Sequence, residues 1–251
     1  MTPFPETADI ETSNDDYATR FKGAVGAWML ATQERAVLKL LGGGRRFSRR
    51  KTPFAPLRIL DVGGGHGQLA HPLVRAGHEL TVIGSDASCE HRIAELTKSG
   101  GCRFEVGNLI ALPYPDKSFD AVVSVRMLTH CRQWETLAKE MCRVSRGPVI
   151  TDYPTSQSLN AAAPAFFGAK KKYEKNTREW RLFKHGEVRG AFAAAGYAET
   201  ARVAQFFLPM VVHRAFKCKP FSAFAELVCR MLGLTRIWGT PVIAKYEKEN
   251  T

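Results

Sequence analysis

The stretch RILDVGGGHG, residues 58–67, decides the fold of this 251-residue chain. Its first half is apolar at Ile59, Leu60 and Val62 and predicts a short buried strand, which runs directly into a loop with four glycines. A helix is predicted next, over about 68–76. Glycines allow a sharp turn and a close ligand approach, and a helix N-terminus offers unpaired N–H groups. Strand, glycine loop and helix in this order are typical of an α/β sheet that binds a nucleotide-like ligand.

Apolar segments of strand length alternate with segments of helix length after this loop. We expect further strands at 80–84, 102–106, 119–125, 148–151, 201–208 and 240–246, and helices at 89–99, 131–145 and 185–195. Segment 119–125 is almost continuously apolar, as expected for a strand that is buried on both faces. The alternation predicts an α/β fold with a Rossmann-like, doubly wound and mostly parallel sheet.

The composition limits the class of protein. Hydrophobic residues make up 45% of the chain, which is enough for a full core, and the net charge is +12 with a pI near 9.6. A basic balance suits acidic ligands, nucleic acid or an anionic membrane surface. The six cysteines are scattered without a C-x-x-C pair, so we expect neither a metal site nor a disulfide framework.

The chain shows no targeting or membrane-spanning signal. The acidic residues 1–16 lack a basic n-region and an apolar core, so we do not interpret them as a signal peptide. No apolar run approaches the roughly 18 residues that a transmembrane helix needs. We therefore expect a cytoplasmic, soluble protein that is at most peripheral to a membrane.

The domain organisation follows from charge and periodicity. Residues 1–16 are acidic with few apolar groups and predict a disordered tail, and 17–251 predict a single domain. Within that domain, 17–51 read as a helical cap followed by a basic linker at 45–51. Segments 155–184 and 209–239 read as insertions that cover a substrate.

Two classes of ligand use a glycine loop of this kind. A dinucleotide site favours G-x-G-x-x-G, in which the third glycine allows close packing of helix on sheet. Here Gln68 stands at that third position, which weakens the dinucleotide interpretation.

Several motifs occur in the order that another family shows. LDVGGGHG at 60–67 is followed by Asp86, then by LPYPDKSFD at 112–120, LTH at 128–130 and FAAAGY at 192–197. In these features the chain resembles the class I S-adenosylmethionine-dependent methyltransferases, in particular the methyltransferase type 11 group, which includes ubiquinone and menaquinone biosynthesis methyltransferases. The resemblance implies seven strands with an antiparallel last strand, a helical insertion before that strand, and S-adenosyl-L-methionine as cofactor.

The resemblance also implies which residues bind the cofactor. They are Asp61, Gly63, Gly65, Gly67, Asp86, Ala87, Asn108, Leu109 and Arg126. The carboxylate of Asp86 offers two oxygens to the two ribose hydroxyls, and Asp61 is suited to accept from the cofactor amino group or from loop N–H groups. Asn108 departs from the acidic residue that the family often has after its third strand. Arg126 follows the fourth strand and contacts either ligand or solvent.

The catalytic residue is the least specified part of the site. Methyl transfer from a sulfonium needs in-line positioning and, for an oxygen, nitrogen or acidic carbon, removal of a proton. His130 stands where ligands bind in open α/β sheets and is our candidate base, with pocket shaping and a structural role as alternatives. Candidate substrate-lining residues are Tyr17, Trp28, Asp152 and Tyr153.

The insertion before the last strand is amphipathic over 220–233. Its apolar residues recur at helical spacing, at Phe221, Phe224, Leu227, Val228, Met231 and Leu232, with Arg and Lys interspersed. Three interpretations stay open: packing on the domain core, a hydrophobic acceptor pocket, or contact with a membrane surface.

Three functions are consistent with these observations. The first is a methyltransferase acting on a small, hydrophobic or aromatic acceptor. The second is an RNA methyltransferase, which the basic stretches 45–51 and 170–189 suggest, although no RNA-binding module is evident. The third is a cofactor-binding partner protein without catalysis. The oligomeric state is not predicted.

Overall fold

One seven-stranded mixed sheet forms the centre of the molecule. The computed structural model describes residues 4–42, 56–159 and 181–249, and all structural statements concern these residues. The strands are β1 (Arg58–Val62), β2 (Glu79–Gly84), β3 (Arg103–Val106), β4 (Ala121–Ser124), β5 (Val149–Tyr153), β6 (Tyr197–Phe206) and β7 (Thr240–Lys248). Their order across the sheet is β3-β2-β1-β4-β5-β7-β6. The first five run parallel, and β7 pairs antiparallel with both β5 and β6, as predicted.

Helices cover both faces of the sheet. They are α1 (Ala8–Ser13), α2 (Asp15–Thr19), α3 (Gly23–Leu41), α4 (Ala70–Arg75), α5 (Ala94–Lys98), α6 (Trp134–Val144), α7 (His185–Ala193), α8 (Met210–Phe216), α9 (Lys219–Met231) and α10 (Leu234–Trp238). Alternate strand residues enter different cores, because side chains of a strand point to opposite faces. Ile59 packs in the core beneath α3 and α4, whereas Leu60 and Val62 pack in the core beneath α6 and α7.

The strand order reverses next to β1. From β1 the chain builds outward through β2 and β3, and it then returns to place β4 on the other side of β1. In open α/β sheets this reversal leaves a crevice at the carboxyl ends of the strands. The glycine loop after β1 and the loop after β4 therefore face the same crevice.

The prediction of a disordered tail over residues 1–16 was wrong for the part that the structure describes. Glu6 accepts a hydrogen bond from the backbone N–H of Gln133, at 2.7 Å from oxygen to nitrogen. Asp9 is fully buried and accepts from the backbone N–H and the hydroxyl of Ser85. Glu6 and Asp9 thus pair with donors that are distant in the chain, although the acidic composition of the segment resembles that of a solvated tail.

Helix bounds differ from the prediction mainly between β2 and β3. The predicted helix at 89–99 is a 3₁₀ turn, Ala87–Glu90, followed by the short α5. The Asp86 carboxylate caps the first turn by accepting from the Ser88 N–H. The basic linker at 45–51, and 160–180 of the predicted insertion at 155–184, lie outside the described residues.

Packing of the 220–233 insertion on the core through its apolar residues is the interpretation that the structure contradicts. Within α9 the buried residues are Ser222 and Glu226. The large apolar side chains of α8 to α10 point outward instead, and we call them the outer apolar patch: Phe216, Phe221, Phe224, Leu227, Met231, Leu232, Ile237 and Trp238. The polar side of α9 is the side that faces the domain.

Candidate active site

The glycine loop is held in a conformation that side chains do not tolerate. Gly63 and Gly67 have φ of 71° and 77°, in the left-handed region. A Cβ on Gly63 would lie 2.8 Å from the side chain of Met127, and one on Gly65 would overlap the Ser13 hydroxyl oxygen. The loop is therefore closely packed on two sides, and α1 lies directly against it.

Asp61, the fourth residue of β1, is a buried carboxylate without a donor. It is 1% exposed, and neither carboxylate oxygen has a hydrogen-bond partner among the described residues. Burial raises its pKa to about 7, and the positive charge of Arg126 opposes this rise. Because an unpaired buried carboxylate is costly, this geometry calls for a cationic or N–H-bearing ligand.

Arg126 follows β4 and is fixed by a closed set of hydrogen bonds. Its backbone has φ of 62°, and its N–H donates to Asp152 Oδ1 at 2.6 Å. Gln33 of α3 donates from Nε2 to Asp152 Oδ2 at 2.6 Å and accepts from Arg126 Nη2 at 3.1 Å. The guanidinium lies over the ring of Phe21, 4.4 Å from its centroid. Its Nη1 is buried and has no hydrogen-bond partner among the described residues.

These two groups of opposite charge line the same cavity. The space between its lining atoms is about 260 Å³ and is partly open to solvent. The lining residues come from α1, the end of β1, the glycine loop, the turn before α4 and the loop after β4: Thr12, Asp61, Gly63, Gly64, His66, Gln68, Leu69, Val125 and Arg126. Burial lowers the pKa of His66 to about 2, so that imidazole stays neutral. An ammonium and a carboxylate on one ligand would complement the cavity.

The ends of β2 and β3 carry the other predicted cofactor residues. Asp86 and Ala87 are exposed, and the hydrogen bond from Ser88 lowers the pKa of the Asp86 carboxyl. Asn108 accepts the N–H of Ile110 through Oδ1, at 3.1 Å, which holds the turn after β3. Leu109 is fully buried in the core. Polar acceptors therefore stand at the carboxyl ends of both strands.

Aromatic rings cover the crevice above Arg126. The ring of Tyr17 lies edge-on to His66 at 5.9 Å and to His130 at 6.5 Å between centroids. Phe21 lies edge-on to His66 at 5.7 Å. The structure thus brings together Tyr17, His130 and Arg126, three residues that the sequence marked.

Three of the predicted substrate-lining residues lie elsewhere or have another role. Both carboxylate oxygens of Asp152 are engaged by Arg126 and Gln33, so Asp152 supports the site from below. Tyr153 points to the opposite face of the sheet, as the next residue of a strand must, and its hydroxyl meets His185 Nδ1 at 3.0 Å. Trp28 packs against the ring of Phe206 at 5.1 Å, on a different side of α3 from Gln33.

Sequence reasoning missed Gln33 and Asp9. Gln33 left a usable signal, because it interrupts the apolar face of α3 between Met29 and Val37 and is itself 5% exposed. Asp9 left none, because its partner Ser85 is 76 residues away in the chain.

The comparisons with known proteins agree with this geometry. A family model described as a methyltransferase domain matches residues 60–147, from within β1 to the loop after α6. The chain is 26% identical over 174 residues to the ubiquinone biosynthesis O-methyltransferase of Sinorhizobium medicae, covering 66% of this chain and 69% of that protein. It is 34% identical over 94 residues to the demethylmenaquinone methyltransferase of Deinococcus radiodurans, covering 36% and 39%.

Among solved structures, magnesium protoporphyrin IX methyltransferase from Synechocystis PCC 6803 with bound SAH shares the fold. The TM-score is 0.64 at 12% sequence identity, over 94% of each chain. The residues of this chain fit the same kind of cofactor. The methionine end of S-adenosylmethionine has an ammonium group that could pair with Asp61 and a carboxylate that could accept from Arg126, and both residues have buried polar atoms without a partner among the described residues. The chain is an S-adenosylmethionine-dependent methyltransferase whose residues 60–147 match the methyltransferase domain family, with S-adenosyl-L-methionine as its cofactor.

Proposed function

We propose that the chain methylates a hydroxyl oxygen of a small, hydrophobic aromatic acceptor. The observation that carries this proposal is the aromatic cover formed by Tyr17, Phe21 and His130 over the crevice. Flat aromatic rings stack favourably on such side chains. Relatives named for ubiquinone and menaquinone biosynthesis support an aromatic acceptor of this kind.

In this proposal the cavity beneath the glycine loop holds the methionine end of the cofactor. The carboxylate of Asp61 pairs with the ammonium group, and Arg126 Nη1 donates to the carboxylate. Asp86 accepts from the ribose hydroxyls, and Asn108 accepts from the adenine amino group through the remaining capacity of its amide oxygen. When bound, S-adenosylmethionine supplies a methyl group made electrophilic by the positive charge on sulfur.

His130 is the residue that we assign to the acceptor proton. It is half-buried beside Tyr17, at the mouth of the crevice. The other candidates are disfavoured: the lowered pKa of His66 makes it a weak base, and both oxygens of Asp152 already accept hydrogen bonds. His130 would accept the hydroxyl proton, so that the acceptor oxygen could take the methyl group that the cofactor would supply.

The test combines identification of the acceptor with a turnover assay. Small molecules that co-purify with the chain are identified by mass spectrometry, and related catechols and hydroquinones are then assayed with methyl-labelled cofactor. We expect label in an aromatic ether, and a turnover that falls about 100-fold or more in His130→Ala at unchanged cofactor affinity. Label in bulk tRNA or rRNA at physiological salt, with none in aromatic acceptors, would refute the proposal. Normal turnover by His130→Ala would remove that residue as the base.

A further inference from the structure

We propose that the outer apolar patch of α8 to α10 docks the protein on an anionic membrane surface. The first observation is the orientation of α9. Glu226 accepts from the backbone N–H groups of Phe207 and Leu208, at 2.9 and 2.8 Å, and lies 3.1 Å from His213 Nε2. These contacts hold the polar side of α9 against the end of β6. The opposite, apolar side of the helix therefore faces outward.

The second observation is the arrangement of the outward side chains. Phe221, Phe224, Leu227 and Met231 recur along one face of α9 and are 50%, 65%, 53% and 70% exposed. Leu232 and Trp238 extend this face through α10. Scattered exposed apolar residues are normal in proteins, but a continuous exposed face of this kind marks an interaction or membrane site.

The third observation is the positive charge around the patch, which favours an anionic membrane as the binding partner. Segment 209–239 has five Lys or Arg residues and one acid, Glu226, and that acid is buried. Lys217, Lys219, Arg230 and Arg236 are exposed around the patch. An apolar helix face rimmed by cations is the pattern of helices that lie in the interface of a membrane with anionic lipids.

The same charge argues against two other occupants. A second copy would bring two cationic faces together in a chain whose net charge is +12. Residues 160–180 of the chain itself have five basic and two acidic residues, so they too would be repelled. An anionic bilayer, by contrast, offers both negative charge and apolar depth.

Docking would be peripheral, and it would place the bilayer beside the active site. No helix among the described residues is long and apolar enough to cross a membrane. α8 and α9 pack against α3, the helix whose Gln33 reaches Asp152 and Arg126. The proposal concerns the surface itself and does not depend on the identity of the acceptor.

The test is co-sedimentation of the full chain with vesicles of phosphatidylcholine, with and without phosphatidylserine. We expect binding to the mixed vesicles only. Combined Phe224→Ser and Leu227→Ser should weaken it by about tenfold for each side chain, and combined Lys217→Gln and Lys219→Gln by about fivefold for each charge. Matched controls on β3 and α5, Val106→Ser and the pair Lys98→Gln with Arg103→Gln, should bind like the unmodified chain. Unchanged binding of S-adenosylhomocysteine shows that each variant is folded.

Several results would overturn the proposal. They are equal binding to both kinds of vesicle, no binding to either, or patch variants that bind as well as the controls. Light scattering gives an independent check. A dimer that Phe224→Ser and Leu227→Ser dissociate would assign the patch to a second copy of the chain.

Discussion

Asp61 and Arg126 carry the most consequential chemistry at the scale of single residues. Both are held inside the protein without full satisfaction of their polar atoms, in one cavity. A protein that only needed stability would not retain such groups, since each unsatisfied polar group costs roughly 1–3 kcal/mol. Their cost is offset once a ligand carrying both charges enters, so the cavity is built for binding.

The raised pKa of Asp61 predicts pH-dependent binding of S-adenosylhomocysteine. Burial puts this pKa at about 7 in the free protein, so at pH 6 about a tenth of the molecules have the ionised carboxylate and at pH 8 about nine-tenths have it. The ligand ammonium needs the ionised form, so binding below the pKa must release a proton. We expect affinity to rise about tenfold from pH 6 to pH 8, measured by isothermal titration calorimetry.

Asp61→Asn serves as the control for this pH dependence. The amide does not titrate, so its affinity should be lower at pH 8 and should change little between pH 6 and pH 8. An unmodified chain whose affinity is flat over this range would contradict the pairing of Asp61 with the ammonium group.

We expect substitution of Gln33 to destabilise the protein, although this residue lies on a helix at the surface. Gln33→Leu removes the partner of Asp152 Oδ2 and of Arg126 Nη2 in a buried setting. We expect the free energy of unfolding to fall by about 1–3 kcal/mol in urea denaturation. Thr32→Ala, one residue earlier and only half-buried, should change it by less than about 1 kcal/mol. A similar loss in both variants would mean that the helix, and not the Gln33 contacts, is responsible.

At the scale of elements, sequence patterns predicted the sheet well for a physical reason. Strands such as β4 are short apolar runs closed by loops, and both signals are local. The N-terminal segment was misjudged, and the interpretations of α9 stayed open, because the deciding contacts are not local. Asp9 is hydrogen-bonded to Ser85, and Glu226 to the backbone N–H of Phe207. These partners are distant in the chain, so the periodicity of apolar residues gives no sign of them. Amphipathicity identifies a face of a helix, but it does not tell what covers that face.

The position of α1 suggests that this helix limits the rate at which the cofactor enters its site. Its Asp9 is held by Ser85 and Cys89, and its Ser13 lies against Gly65, where a ligand must approach the loop. We therefore predict that α1 must shift for the cofactor to enter, and that Asp9→Ala raises the association rate by about tenfold or more, because charged hydrogen bonds are worth roughly 1.5–3 kcal/mol each. Stopped-flow fluorescence with S-adenosylhomocysteine measures that rate.

Asp15→Ala is the matched control, because Asp15 belongs to the same acidic segment but pairs with Arg92 at the surface. Its association rate should equal that of the unmodified chain. A rate for Asp9→Ala that is unchanged or slower would show that α1 does not limit entry.

The whole molecule combines a basic exterior with an acidic N-terminal segment that closes the cofactor crevice. The net charge of the 251-residue chain is +12. The acidic residues Glu6, Asp9 and Asp15 nevertheless all lie against the strand ends and their loops. The two ends of the domain therefore have different tasks: the acidic segment covers the cofactor side, and the cationic rim of the outer apolar patch faces outward beyond β6. Ligand binding and membrane docking can be separated by variants on either side.

Cofactor binding should stabilise the whole domain, because the cavity is lined by α1, the glycine loop and Arg126, and Arg126 is hydrogen-bonded to Gln33 of α3. A ligand at about 100 times its dissociation constant adds roughly 2.7 kcal/mol to the free energy of unfolding. For a domain of this size each kcal/mol raises Tm by about 2–4 °C, so we expect S-adenosylhomocysteine to raise Tm by about 5–10 °C in calorimetry. Asp86→Ala removes only an exposed cap on the Ser88 N–H, so it should lower the Tm of the free protein by no more than a few degrees. It should nevertheless lose most of the shift at the same ligand concentration. If Asp86→Ala kept the full shift, the ribose hydroxyls would have to be held by another residue of the crevice.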